Sequence, residues 1–383
     1  MKRILALVLT LAICLSLWIP AGAEEPEAPA LPTDQEIMDY ALYFMTESQE
    51  DPSIVIRDFA HLTDGAGNPT GYYVSFNNEA GPAGYVLLSL ISGENPLVEF
   101  AFEGGGLFDT EETASLFAET QLATLDNTES SQTEIVYQGA GLLYLPVEGD
   151  TYYSVYDRET TELETGIVPL VDLKGGVYDW ADAHIKNSSV FKIRDFGDGE
   201  ADYRTMSHWT KENCDFDNTS SNCAPTAATN ILWYWGKMRS KSTVMDMINP
   251  SLSDDKQRAA IYNSLYRSMR TDPYGSDIDD VVIAYNNFFR NASKNLWSCT
   301  KLNGVDLFRY KNALNDQCPV HLNIYAHANK LNGGHATMAI GYAQSSISSS
   351  TYYLFVMDGS ESYGRFIKIG YYPAMDGLKI KVV

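Results

Sequence analysis

Three side chains in the C-terminal half of the 383-residue chain have the types and the order that thiol acyl transfer requires. Cys223 sits near the start of the run Asn222-Cys223-Ala224-Pro225-Thr226-Ala227-Ala228-Thr229-Asn230-Ile231-Leu232-Trp233-Tyr234-Trp235. Pro225 fits the first turn of a helix, where the N–H groups have no partner in any case. A cysteine at that position is stabilised as thiolate, the nucleophilic form, by the unpaired N–H groups and the positive end of the helix dipole. His335 follows the glycines of Asn332-Gly333-Gly334 and starts an alternating run that continues to Tyr342. There it can serve as general base and then acid. Asp358 ends the strand-like run Tyr352–Met357, just before Gly359 and Ser360, so its carboxylate can hold the far ring nitrogen of His335. Each residue alone has a plainer reading: a packed cysteine, a loop histidine, an aspartate that forms a turn. Their order is what connects them.

The elements that must position these groups follow from periodicity. Pro225–Trp235 reads as a helix stopped by Gly236, with Ala227, Ile231 and Trp235 on a buried stripe. Further helices are expected at Asp254–Met269, Asp277–Phe289 with Ser276 as N-cap, and Val305–Leu314. Strands are expected at Cys318–Tyr325, His335–Tyr342, Tyr352–Met357, Phe366–Tyr371 and Leu378–Val382. The thiol therefore comes from a helical part and the imidazole from a later β part. Nearer the N-terminus, Thr33-x-x-Glu36 is a capping box before Ile37, Tyr40, Ala41 and Phe44. Strand-like runs follow at Gly71–Phe76, Gly84–Leu90 and Leu97–Phe102, and a second helix opens at Asp109-x-x-Glu112. More strands are expected around Glu134–Tyr137, Leu142–Pro146, Thr151–Tyr156 and Gly166–Leu173, and a linker within Asn187–Tyr203. The fold class is α+β.

The segment around Cys223 resembles the catalytic-helix motif of secreted bacterial papain-like cysteine peptidases, of the streptopain and bacteriocin-processing kinds. Pro319-Val320-His321-Leu322-Asn323-Ile324 is similar to the strand that precedes the histidine loop in that superfamily, and His335-Ala336 with Gly341-Tyr342 is similar to the histidine strand. The resemblance covers roughly residues 205–383. It implies a papain-like catalytic domain in which Cys223 is the nucleophile, His335 its base and Asp358 the orienting residue. Two positions depart from the pattern: Ala224 stands where the family often has glycine, and Asp217 and Asn218 stand where it usually has a glutamine. A carboxylate cannot donate to an oxyanion, so Asn218 is the expected donor, with Asn222 second and the Cys223 N–H in addition. Gly84–Ser89 with Pro96–Phe100, after an N-terminal helix, is similar to the prosegment of streptopain-type zymogens. The implied organisation is a signal peptide at 1–23, an acidic pro or regulatory domain at 24–190 and a peptidase domain at 191–383. Its partners would be a protein or peptide substrate and its own N-terminal prodomain. A cell-wall amidase or transamidase on the same fold, or a degenerate surface binding module, remains open at this point.

Charge supports the division. The chain carries 27 Lys+Arg against 50 Asp+Glu, a net charge of −23, which excludes a nucleic-acid binder held by bulk charge. Residues 24–185 hold three basic side chains and 31 acidic ones, whereas residues 186–383 hold 22 basic and 19 acidic. An acidic half thus precedes a nearly neutral one that bears every candidate catalytic residue. Lys2 and Arg3, the apolar run Ile4–Ile19 and Ala21-Gly22-Ala23 read as an export signal, so the expected location is secreted, with no membrane span after cleavage. No zinc or calcium spacing is present, and His321 and His327 read as core or surface side chains rather than ligands. The reading calls for neither metal nor cofactor.

Overall fold

The computed structural model describes residues 31–90, 96–125, 134–138, 143–149, 151–156, 159–163, 182–193, 222–269, 271, 275–304, 306–325, 334–357, 359, 363–372 and 374–383. The export signal and the strand expected at Gly166–Leu173 lie outside the described residues, as do Asn218 and Asp358. The architecture is α+β, with one large sheet and several helices.

In the N-terminal half, helix α1 (Asp34–Gln49) starts at the expected capping box: the Thr33 hydroxyl accepts from the Glu36 N–H, and Glu36 accepts from the Thr33 N–H. Strands β1 (Val55–Thr63), β2 (Pro69–Asn78), β3 (Gly81–Ser89) and β4 (Leu97–Ala101) form an antiparallel meander beneath it. Helix α2 (Glu111–Leu125) begins later than its sequence suggests. Asp109 is taken by Arg57 at 2.7 Å, and Thr110 instead accepts from the Thr113 N–H. Short strands β5 (Val136–Tyr137), β6 (Leu143–Glu148), β7 (Thr151–Ser154) and β8 (Glu159–Glu162) complete this edge. β1 went unread in the sequence because Arg57 and Asp58 stand inside it and a register shift between Ile56 and Asp58 breaks its alternation.

The C-terminal half begins with β9 (Phe191–Lys192), inside the stretch read as a linker, which pairs with Gly341 and Tyr342. Helices α3 (Cys223–Trp233), α4 (Ser242–Met245), α5 (Asp254–Met269) and α6 (Ile278–Phe288) follow. α6 is capped by Asp277, not Ser276; the Asp277 carboxylate accepts from the N–H groups of Asp279 and Asp280. Gly236 does not end the cysteine helix. A π-turn over Tyr234–Met238 runs through it, and a Cβ there would lie 2.8 Å from Met245 Sδ, so the glycine permits close packing on α4. Strands β10 (Trp297–Asn303), β11 (Val320–Tyr325), β12 (Gly334–Gln344), β13 (Tyr352–Met357), β14 (Arg365–Lys368) and β15 (Ala374–Val382), with α7 (Leu307–Asn315) after β10, complete the chain.

The strands run in the order β10-β15-β11-β12-β13-β14-β4-β3-β2-β1-β5-β6-β7-β8, so the two halves of the sequence share one sheet. The junction is the antiparallel pair β14 and β4, in register at Phe366 with Phe100 and Ile367 with Glu99. Phe100 stacks on Phe366 at 4.8 Å and meets Phe44 of α1 edge-on at 4.9 Å. One apolar core crosses the junction, and Thr33–Val383 is a single compact unit.

His321 on β11 is fully buried, its Nδ1 3.5 Å from the Tyr285 hydroxyl. Burial drives its pKa down to about 3, against a smaller upward pull from Asn323. The fold therefore holds the neutral imidazole, while the unfolded chain protonates it near an ordinary pKa of about 6.5. Its contribution to stability is complete above that pH and is lost as pH falls towards about 3, at about 1.4 kcal/mol per pH unit. A His321→Gln variant cannot titrate, so its melting temperature should decline less steeply than wild type on acidification.

Candidate active site

Helix α3 is buried from Ala224 through Trp233, with the expected stripe residues Ala227, Ile231 and Trp235 all in the core. It lies between α5 and the sheet and packs on β12 and β11. Its far end is pinned by the Trp235 indole N–H, which donates to the Ile380 carbonyl at 3.1 Å, and by the Arg258 guanidinium, 4.8 Å over the Trp233 ring. Within the first turn, Thr226 N–H donates to Asn222 O, and Thr229 Oγ1 donates to Pro225 O. A helix fixed along its whole length holds its first residue still, and that residue is Cys223, a half-buried thiol. Asn222 precedes it as the N-cap without a side-chain capping bond.

His335 is the second residue of β12, paired with Ile324 of β11. The preceding Gly334 is required by the ladder, because a Cβ there would stand 2.6 Å from the Ile324 carbonyl oxygen. The imidazole is in the protein interior, the residue being 8% exposed. The turn after β13 comes against the cysteine helix. Gly359 has φ of +80°, and a Cβ on it would meet Thr226 Cγ2 at 2.7 Å. The helix of Cys223 therefore packs on the strand of His335 and, at Thr226, lies against Gly359; Asp358 and Asn218 are outside the described residues.

Thiol chemistry separates the cysteines. Burial pushes the Cys299 thiol up to about 12, with Lys301 pulling weakly the other way, and burial also raises Cys318. Both stay protonated at neutral pH. Among the described residues no group of His, Cys, Asp and Glu is arranged to hold a metal ion, and no helix is long and apolar enough to cross a membrane.

One neighbour of His335 comes from the acidic half, where the sequence suggested no role in the site. The ring of Tyr156 lies 6.4 Å from that of His335, 47° between planes. No sequence signal distinguishes it, for Tyr156 is one of 25 tyrosines.

The Peptidase_C39 like family matches residues 202–368, a segment that contains Cys223, His335 and position 358. The crystal structure of Pseudomonas avirulence protein AvrPphB is similar over 42% of this chain and 92% of its own, at 14% identity and a TM-score of 0.22. No curated protein matches the chain. Residues 202–368 are thus similar to the Peptidase_C39 like family.

Proposed function

We propose that the chain is a secreted cysteine endopeptidase made as a zymogen, with residues 24–190 as its prodomain. The observation that carries this reading is the placement of Cys223 at the N-terminus of a rigid buried helix packed on the strand of His335, within the segment that matches the Peptidase_C39 like family. Cys223 Sγ attacks the peptide carbonyl carbon, and the oxyanion that forms is held by the Cys223 N–H and Asn218. His335, oriented by Asp358, gives its proton to the departing amine, leaving a thioester on Cys223. His335 then takes a proton from water, the hydroxide adds to the thioester, and the carboxylic acid product leaves with the thiolate restored.

Alkylation tests the assignment of the nucleophile. At pH near 7, iodoacetamide should modify Cys223 at least ten times faster than Cys299 or Cys318, because the latter two are held as thiols by burial. Peptide mass mapping reads the three rates. Equal rates would indicate that Cys223 is not activated and would favour a binding module that has lost catalysis. Hydrolysis of unfolded protein but not of peptidoglycan is the expected substrate pattern, and the opposite pattern would favour an amidase.

A further inference from the structure

The acidic half reaches the histidine with the side chain of Tyr156. Tyr156 is buried two residues beyond β7, its ring beside that of His335. The other contacts of the same tyrosine lie on both sides of the junction. Its ring lies 4.6 Å beneath the Arg365 guanidinium of β14, and its hydroxyl donates to the Glu99 carboxylate of β4, 3.3 Å from each oxygen. Glu99 also accepts from Arg365 Nη1 at 3.3 Å and from the Tyr85 hydroxyl. The Arg365 and Glu99 side chains are 7% and 3% exposed, so this ion pair is screened from solvent. Because β4 and β14 are paired, both anchors of Tyr156 are set by a backbone ladder rather than by flexible loops.

This placement bears on the proton transfers. A general acid must come within hydrogen-bond reach of the leaving amine. A tyrosine ring 6.4 Å from that of His335, with a cation over its face and a carboxylate on its hydroxyl, is held beside the imidazole. We infer that Tyr156 is the blocking side chain of the acidic half, held against His335 by the Glu99–Arg365 pair, with Arg365 as its receptor on the peptidase half. The inference rests on the peptidase reading above. It assigns the restraint to one side chain rather than to the bulk or the charge of residues 24–190.

The test uses the full chain. Wild type, Tyr156→Ala, Tyr156→Phe and Tyr353→Phe are compared for the rate at which iodoacetamide modifies Cys223 and for the rate of conversion of the 42.5 kDa chain to a smaller form. Tyr353→Phe removes a 3.5 Å bond to the Leu97 carbonyl elsewhere on the same junction and serves as the control. Tyr156→Ala should raise both rates at least tenfold, Tyr156→Phe should raise them less, and Tyr353→Phe should match wild type. Circular dichroism melts verify folding; if Tyr156→Ala does not fold, Tyr156→Phe decides. A folded Tyr156→Ala at wild-type rates, or an equal rise in Tyr353→Phe, overturns the inference. Reactive Cys223 in chains cut between the halves, with no effect of Tyr156→Ala, removes the latch and leaves the peptidase standing. Cys223 inert in every form, cut or intact, removes both.

Discussion

Replacement of Cys223 by alanine is expected to lower peptide-bond hydrolysis on the order of 10^6-fold and to leave the exported chain uncut between its two halves. The magnitude follows from the step that is lost: without the thiolate no acyl-enzyme forms, and there is no thioester for water to attack. Stability should change little, because the side chain is small, half-buried and at the first position of α3, where alanine is the better helix former. Thermal melts that coincide within a few degrees, alongside electrophoresis showing no conversion of the variant, would give the expected result. Conversion of the variant at the wild-type rate would mean that another protease does the processing, and undiminished hydrolysis would end the assignment of Cys223 as nucleophile.

The second large effect concerns the ion pair at the junction. Glu99→Ala strands the Arg365 guanidinium in a nearly solvent-free site and leaves the hydroxyls of Tyr85 and Tyr156 without that acceptor. Removal of one partner from a buried pair costs about 3–5 kcal/mol, while replacement of both by apolar residues of similar volume is often neutral or stabilising. Glu99→Ala should therefore destabilise the full chain by about 3–5 kcal/mol, and the double variant Glu99→Leu/Arg365→Met should recover most of the loss. Denaturant titration of Glu99→Leu, Arg365→Met and the double variant measures the coupling. Additive losses would show that the pair acts as two independent side chains. Tyr85 and Tyr156, raised well above an ordinary phenol chiefly by burial, stay neutral and do not replace the lost carboxylate.

The parts of the molecule that follow local rules were legible in the sequence. The Thr33 capping box, the helix after Cys223, its apolar stripe and the strand after Gly334 all depend on spacing within a few residues, and all four form as expected. What escaped depends on contacts between distant residues. Gly236 reads as a stop by local rules, but the closeness of Met245 and Val244 is what requires glycine there. Asp109 reads as a helix cap until Arg57, 52 residues earlier, claims its carboxylate. Nothing near Glu99 marks it out from the other acidic residues of its half, since its role arises only when β4 meets β14. Tyr156 was hidden for the same reason: its environment is assembled from β4, β14 and β12.

The shared sheet also governs how the protein behaves once it is cut between the halves. Separation of β4 from β14 leaves two complementary unpaired edges, one lined by Glu99 and Phe100 and the other by Arg365 and Phe366. Exposed edges of this kind re-pair or pair wrongly unless they are covered. Under the zymogen reading, cleavage therefore converts a tethered inhibitor into a stoichiometric one, and the effective concentration that held it in place falls to its bulk value. Activity of the cut protein should rise on dilution and fall again when the acidic fragment is added back. Release would then depend on dispersal or destruction of the fragment as much as on the cut itself.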